Sequence, residues 1–269
     1  MEDRPTAGHV TASLGWSSAA RKPLLLAHRG ASAIEPENSL LAFRRAAADG
    51  ADGVELDVLV CATGEVVVFH DDDLARLGDR PDRIARLSLT EIRDVRLVSG
   101  ATIPTLDEAL DACGDDLLVN VELKVSGVTA PGLRRLVEAA AGVLARRGPR
   151  VFERVLVSSF HARAIALWRH VAPDVKAGLL FERAASLPLR RRWALRWLRP
   201  FSAHPEASLC SPRAVRAWHS RGYRVIAWTV DDVRQLRGLA AMGVDGIITN
   251  DPARARRALA AASNPPHET

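Results

Sequence analysis

Short apolar runs alternate with helix-like segments along almost the whole chain, from Leu24 to Ala262. The runs are rich in Val, Ile and Leu, which is typical of strands buried on both faces. We predict nine such strands, at residues 24–28, 53–57, 66–70, 118–123, 154–159, 176–181, 207–210, 224–229 and 245–249. We predict helices at residues 39–49, 88–95, 105–113, 131–147, 161–171, 184–199, 212–221, 231–241 and 252–262. Such alternation predicts a parallel sheet with helices outside it.

Residues that favour helix starts support this division, because Asn38 is a suitable N-cap and Pro131, Pro212 and Pro252 suit first turns. Eight strand–helix units in about 240 residues suit a TIM barrel. We therefore predict an α/β fold, a single-domain and somewhat irregular TIM-type (β/α)8 barrel over residues 23–262. Residues 1–22 are predicted to be a flexible N-terminal arm and residues 263–269 a C-terminal tail. The strand at 207–210 is the weakest of the nine, and the alternative for this segment is an irregular stretch. The link between the second and third strands is too short for a helix.

Composition narrows the class of protein. The three cysteines are far apart and form no C-x-x-C pair, which favours a reducing cytoplasm over a disulfide framework. No apolar run is long enough to predict a transmembrane helix, and the first residues lack the apolar core of a secretory signal. The net charge of +5 comes from arginines spread along the chain, so we predict no nucleic-acid binding.

The segment 183–199 interleaves arginines with leucines and tryptophans. One interpretation is a surface element that makes a weak peripheral contact with anionic membranes, as basic amphipathic helices with Trp do. The alternative, which we favour, is an outer barrel helix with a solvated basic face.

Charged residues interrupt the apolar strands where a buried strand should be apolar. Glu55 and Asp57 lie two apart and project to one face of their strand, and Glu122 and Lys124 do the same on a later strand. In a barrel, such residues meet at the C-terminal end of the strands. Carboxylates about 4 Å apart repel by roughly 4 kcal/mol per pair at an effective dielectric of 20. A divalent cation relieves this, and all-oxygen ligands favour Mg²⁺ or Ca²⁺.

Two histidines, His28 and His70, end apolar strands near these carboxylates, which suggests a general acid–base pair. Arg29 and Lys124 add two cations. Two cations and a metal together point to a substrate that carries a phosphate group. Other histidines attract less interest: His161 is expected to cap a helix, and His170, His204 and His219 are expected on the surface.

These residues belong to an ordered set of short motifs that resembles the glycerophosphodiester phosphodiesterase family. The motifs span most of the chain, and the order makes the set specific although each motif alone is weak. They are HRG at 28–30, PENS at 36–39, GADGVELDV at 50–58, VVFHD at 67–71, IPTLDE at 103–108, VELK at 121–124, SSF at 158–160, WTV at 228–230 and DGIIT at 245–249.

The resemblance implies a TIM-like barrel that hydrolyses glycerophosphodiesters to glycerol 3-phosphate and an alcohol. It implies one Mg²⁺ or Ca²⁺ ion and a set of site residues. The implied roles are metal binding by Glu55, Asp57 and Glu122, acid–base catalysis by His28 and His70, phosphate contact by Arg29 and Lys124, shaping of the site by Glu37 and Asn38, and a wall for the glycerol or headgroup formed by Phe160 and Trp228. Trp228 could equally fill the barrel.

Two positions depart from the family pattern: Asp231 stands where Asn is usual, and His161 where Asp is common. Neither residue belongs to the implied metal or acid–base set. The two departures therefore bear on the preference for the alcohol headgroup and not on activity. The connection between His70 and Ile103 leaves no room for an insertion domain.

Other functions remain open from the sequence. A lysophospholipase D or sphingomyelinase D-like enzyme would use a related barrel and act on lysolipids. A barrel that binds a phosphodiester without hydrolysing it would not need the complete set of acids and histidines. A metal-dependent barrel acting on carbonyl compounds would not need both Arg29 and Lys124. The alcohol headgroup, the roles of the two histidines, the nucleophile and the oligomeric state are not determined.

Overall fold

The structure is a computed structural model that describes residues 15–16, 23–125, 129–183 and 194–263. In this part of the chain, nine strands form one sheet that closes on itself. The strands are β1 (Leu24–His28), β2 (Gly53–Val60), β3 (Val66–Val68), β4 (Leu118–Leu123), β5 (Val155–Ser159), β6 (Lys176–Phe181), β7 (Ser202–Pro205), β8 (Arg224–Ala227) and β9 (Gly246–Thr249). The helices with both ends described are α1 (Leu40–Ala48), α2 (Leu89–Asp94), α3 (Leu106–Ala112), α4 (Ala130–Arg147), α5 (Pro149–Arg154), α6 (Ala162–Val171), α7 (Pro212–His219), α8 (Val233–Met242) and α9 (Pro252–Ser263).

Eight of the strands are parallel and form a closed barrel. Its order is β1-β2-β4-β5-β6-β7-β8-β9, and β1 pairs with both β2 and β9 to close the ring. The ninth strand, β3, pairs antiparallel with β2 as a short hairpin outside this ring. The predicted TIM-type barrel is therefore confirmed, as is its irregularity at the short link between β2 and β3.

The register of the strands sets the level of each site residue. His28 lies beside Glu55 across the β1–β2 pair, and Asp57 lies beside Glu122 across the β2–β4 pair. All four residues therefore lie toward the C-terminal ends of three adjacent strands. This is the end of a (β/α)8 barrel at which enzymes place their active sites.

Apolar side chains fill the space on both sides of the sheet. A large cluster packs the outer face of the barrel against the helices, for example through Phe43, Leu136 and Trp168. A smaller cluster closes the barrel interior and includes Trp16, which is buried and donates its indole N–H to the carbonyl of Arg154. The predicted N-terminal arm is thus attached to the barrel at Trp16, while residues 1–14 and 17–22 lie outside the described residues.

The seventh strand lies earlier in the chain than the sequence predicted. Residues 202–205 pair with β6 and β8, whereas Ala207–Leu209 form a 3-10 helix, so the predicted strand at 207–210 is wrong. The β7 sequence SAHP contains no β-branched residue, so it lacks the local signal for a strand. His204 lies on this strand and is fully buried, so the expectation of a surface histidine is also wrong.

Two helix-start predictions need correction. Ser39, not Asn38, caps α1, because its hydroxyl accepts a hydrogen bond from the amide of Ala42. Asn38 instead adopts a positive φ of 57° and turns its side chain toward the barrel. His161 is the N-cap residue of α6 but makes no side-chain capping bond.

Much of the basic segment at 183–199 lies outside the described residues, namely positions 184–193. Residues 194–198 are helical, and Trp197 is 77% exposed. In the described part of the chain, no helix combines the length and apolar character needed to cross a membrane.

Candidate active site

A cavity of about 590 Å³ opens at the C-terminal end of the barrel. It lies above the carboxylates of the barrel interior and is bounded by residues from the ends of most of the strands. Its lining includes eight of the predicted site residues, namely His28, Arg29, Glu55, His70, Glu122, Lys124, Phe160 and Trp228.

Three buried carboxylates meet on the floor of this cavity. Glu55, Asp57 and Glu122 each offer one oxygen, and these three oxygens lie within 4.8 Å of one another. Burial, followed by the charges of neighbouring carboxylates, raises the pKa of Glu55 well above its usual value. Burial and Asp57 likewise raise the pKa of Glu122 to about 7, although Lys124 acts in the opposite direction. Burial and the neighbouring carboxylates thus favour the protonated forms of both glutamates.

The donors in this cluster fit a divalent cation. Glu55 Oε1 is buried and has no hydrogen-bond partner among the described residues. An orphaned buried carboxylate oxygen is costly unless an ion or a donor reaches it. A set of three carboxylate oxygens is the kind of site that hard cations such as Mg²⁺ and Ca²⁺ prefer. Glu55, Asp57 and Glu122 would therefore hold the ion.

Two cationic side chains flank the carboxylates. Lys124 Nζ lies 2.9 Å from Glu122 Oε1 and 3.5 Å from Asp57 Oδ1. Arg29 Nε lies 3.3 Å from Asp57 Oδ2, and the Arg29 backbone amide donates to Glu55 Oε2 at 3.1 Å. Burial disfavours the charged form of Lys124, but Glu122 and Asp57 outweigh it and raise the Lys124 pKa. Both cations are therefore fixed at the edge of the carboxylate cluster.

The loop after β1 contacts both Arg29 and Asp57 through side-chain hydrogen bonds. Glu37 accepts a hydrogen bond from Arg29 at 2.9 Å, and Asn38 Nδ2 donates to Asp57 Oδ2 at 2.9 Å. Both Arg29 and Asn38 have positive φ angles, 55° and 57°, which is uncommon away from glycine and points to a loop whose shape is imposed by the site. Glu37 and Asn38 thus contact Arg29 and Asp57, and neither residue lines the main cavity.

The two histidines reach the cavity from different elements and have different partners. The His28 Nδ1 atom lies 2.7 Å from Asn250 Oδ1, and its Nε2 atom lies 3.9 Å from Glu55 Oε2. Burial, followed by the charge of Arg29, lowers the pKa of His28. His70 follows β3, and its Nδ1 atom lies 2.6 Å from Asp71 Oδ1. One ring is therefore held by an amide and the other by a carboxylate.

Ion pairs and hydrogen bonds between charged side chains hold His70 in place. Asp71 accepts a hydrogen bond from Arg76 Nε at 2.6 Å, and Arg76 also donates to Glu37 at 2.7 Å. Burial favours the neutral acid at Asp71, yet Arg76 and His70 lower its pKa. The loop that carries His70 is thereby tied to the loop that carries Arg29, through Arg76 and Glu37.

The far wall of the cavity is aromatic. Phe160 and Trp228 meet edge to face with ring centroids 5.3 Å apart, and the Trp228 indole N–H donates to the carbonyl of His204 at 2.8 Å. Leu180 and His161 also line this side. Trp228 is thus fixed by a hydrogen bond and forms part of the cavity surface.

Three residues that support the histidines were not predicted from the sequence as site residues. The first is Asn250, which lies 222 positions from its partner His28. The others are Asp71, which is adjacent to His70, and Arg76, which contacts Asp71 and also Glu37, 39 positions away. Asp71 follows His70 within a quoted motif, so its position offered a signal. Asn250 and Arg76 offered none, because only the fold brings them to the site.

Comparison with known proteins agrees with this geometry. The model of the glycerophosphoryl diester phosphodiesterase family matches residues 28–254. A glycerophosphodiester phosphodiesterase of Caldanaerobacter subterraneus subsp. tengcongensis is 35% identical over 240 residues, which cover 86% of this chain and 95% of that protein.

Solved structures show the same fold. An Oleispira antarctica phosphodiesterase in complex with the product sn-glycerol-3-phosphate superposes with a TM-score of 0.80 at 28% identity, covering 89% of this chain and 97% of that one. A Thermotoga maritima glycerophosphodiester phosphodiesterase gives a TM-score of 0.72 at 29% identity, covering 87% and 97%. The chain therefore belongs to the glycerophosphoryl diester phosphodiesterase family and is a phosphoric diester hydrolase.

Proposed function

We propose that this protein hydrolyses glycerophosphodiesters to glycerol 3-phosphate and an alcohol, using one bound divalent cation and the histidine pair His28 and His70. The observation that carries the proposal is the cluster of Glu55, Asp57 and Glu122 on the floor of the same cavity that both histidines line. The names of the relatives, and the product held by the Oleispira antarctica enzyme, support this substrate class.

The cation, Mg²⁺ or Ca²⁺, would polarise a phosphoryl oxygen when bound. The chain's own residues do the rest of the positioning. Arg29 and Lys124 bind the non-bridging oxygens of the phosphate, because their charged groups are already fixed beside the carboxylates. Phe160 and Trp228 pack against the glycerol or the headgroup and exclude water from that side.

The two histidines divide the proton transfers. His28 is the general base, since burial and Arg29 favour its neutral form and its Nε2 faces the carboxylates. It takes a proton from the attacking oxygen, which belongs to water or to the glycerol 2-hydroxyl. His70 is the general acid: its Nδ1 hydrogen is held by the Asp71 carboxylate at 2.6 Å, so the proton that it transfers is carried on Nε2. It gives its proton to the leaving alkoxide as the P–O bond breaks.

The proposal is tested by measuring glycerol 3-phosphate released from sn-glycero-3-phosphocholine. His28→Ala and His70→Ala should each lower turnover at least about 10²-fold, since acid–base catalysis supplies that much. His170→Ala, at an exposed histidine on α6, is the matched control. EDTA should abolish activity, and Mg²⁺ or Ca²⁺ added separately should restore it. Near-normal turnover in either site variant, or in EDTA, would contradict the proposal.

Lysophospholipase D or sphingomyelinase D-like activity is not favoured, because the matched family and the named relatives are glycerophosphodiester phosphodiesterases. The same assay with lysophosphatidylcholine compares the two substrate classes directly.

Placement in the cytoplasm and a single domain over residues 23–262, with an arm at 1–22 and a tail at 263–269, are further proposals from the sequence. A weak peripheral contact with anionic membranes through 183–199 is another, and exposed Arg196 and Trp197 offer it some support. Co-sedimentation with phosphatidylglycerol vesicles would test this contact, and no binding by the unmodified chain would remove it.

A further inference from the structure

A chain of hydrogen bonds leads from the loop after β8 to the ring of His28. The Asp231 carboxylate accepts from Asn250 Nδ2 at 2.6 Å, from the Asn250 backbone amide at 2.8 Å and from Thr249 Oγ1 at 2.9 Å. The other end of the same amide, Asn250 Oδ1, lies 2.7 Å from His28 Nδ1 and 3.0 Å from Ser32 Oγ. Asp231 and His28 are thus connected through one side chain.

The chemistry of Asp231 determines the direction of these bonds. An ionised carboxylate only accepts hydrogen bonds, so the Asn250 atom beside it must be the NH₂ group. The oxygen of the Asn250 amide must then face His28. A carbonyl oxygen also only accepts, so the hydrogen in the Asn250–His28 bond belongs to His28 Nδ1.

This direction has a consequence at the other ring nitrogen. In a neutral imidazole, a hydrogen on Nδ1 leaves a lone pair on Nε2. His28 Nε2 is the atom that faces the carboxylate cluster, 3.9 Å from Glu55 Oε2. We propose that Asp231 and Asn250 are positioning residues that hold His28 in the tautomer whose Nε2 accepts a proton from the nucleophile. This rests on the proposed role of His28 as the general base.

The surroundings of Asn250 support a positioning role. Its backbone carbonyl accepts from the amide of Ala33, so the main chain of Asn250 is tied to the loop after β1. His28, Asn250 and Asp231 also border a second cavity, of about 360 Å³, together with Ser32 and Ala33. Without its partner, the imidazole of His28 could rotate toward this open space.

The decisive variants exchange the two groups. Asp231→Asn removes the acceptor-only partner, so the Asn250 amide can turn its NH₂ toward His28 and favour the opposite tautomer. We expect kcat to fall at least about 10-fold with little change in KM, as for removal of other residues that orient a functional histidine. The single variant Asn250→Asp places two carboxylates in contact, so its kcat should also fall.

The double variant Asp231→Asn/Asn250→Asp is the rescue. It restores an acceptor at position 250 for His28 and an amide–carboxylate bond to position 231. We expect kcat to recover most of the loss caused by Asp231→Asn. Asp232→Asn is the matched control, because this neighbour caps α8 through Gln235 and is not part of the chain to His28.

A spectroscopic measurement tests the tautomer without turnover. ¹⁵N shifts of the histidine ring nitrogens, with His28→Gln to assign the signal, should show Nε2 unprotonated in the unmodified protein and altered in Asp231→Asn. Unchanged kcat in Asp231→Asn, no rescue in the double variant, or an Nε2-protonated His28 in the unmodified protein would each overturn the inference. Failure of the proposed function would instead appear as no glycerol 3-phosphate from the unmodified protein, with the tautomer still measurable.

Discussion

Replacing Glu122 by Gln should change stability in opposite directions with and without a divalent cation. Burial and Asp57 raise the pKa of Glu122 from 4.5 to about 7 in the metal-free protein. The folded state therefore binds more protons than the unfolded state between these values, and stability falls as pH rises across this range. At 1.36 kcal/mol per pH unit, ionised Glu122 costs roughly 3 kcal/mol at pH 8.

Glutamine is neutral at every pH, so Glu122→Gln should avoid this cost. In EDTA at pH 8 we expect its Tm to exceed that of the unmodified protein by several degrees, since about 1 kcal/mol shifts the Tm of a chain of this size by roughly 2–4 °C. At pH 4.5 most of the difference should disappear, because Glu122 is then protonated in the folded state and about half protonated in the unfolded state.

A saturating cation should reverse the order. At a concentration 1,000 times its dissociation constant, the ion stabilises the unmodified protein by about 4.1 kcal/mol, which exceeds the roughly 3 kcal/mol that ionised Glu122 costs at pH 8. The Gln variant loses one of three carboxylate ligands and should gain much less. Thermal denaturation in EDTA and in Mg²⁺ or Ca²⁺ measures both effects.

The control is Glu138→Gln, at an exposed residue of α4 that pairs only with Arg134 among described partners. Its Tm should follow that of the unmodified protein, both in EDTA and with the cation, because an exposed ion pair contributes little and the three carboxylates are intact. The reasoning is refuted if Glu122→Gln is less stable than the unmodified protein in EDTA at pH 8, or if the difference is the same at pH 4.5 and pH 8.

Three further outcomes follow from the structure. Because burial and Arg29 lower the pKa of His28, the acid limb of the kcat/KM profile should lie below pH 6.5, and a limb above that value would contradict His28 as the base. Asn38→Ala and Asn38→Gly each remove the bond to Asp57 Oδ2, so both should weaken cation binding about 10–100-fold by calorimetry, and unchanged affinity would contradict this. Of the two variants, only Asn38→Gly also relieves the positive φ of this residue. Gly178→Ala should cost about 1–3 kcal/mol in thermal denaturation, since its Cβ would lie 2.5 Å from the ring of buried His204, whereas Gly238→Ala meets nothing within 4 Å and serves as its control.

The local pattern of apolar residues was sufficient to predict most of the fold. Strands β1, β2, β4 and β9 consist mainly of apolar residues, and the preferences that mark a buried strand act over a few neighbouring positions. The fold class follows from the order of such segments, so it could be predicted without any contact being known. Strand β7 could not, because Ser202–Pro205 becomes a strand through pairing with β6 and β8 rather than through its own composition.

The same division applies to the site. The spacing of Glu55 and Asp57 on one strand places both on one face, so the sequence by itself determined that acids would meet inside a barrel. Which side chains hold His28 and His70 in place was decided by tertiary structure alone. Asn250 reaches His28 across 222 positions because β9 pairs with β1, and the closure of a barrel leaves no trace in the local sequence around either residue.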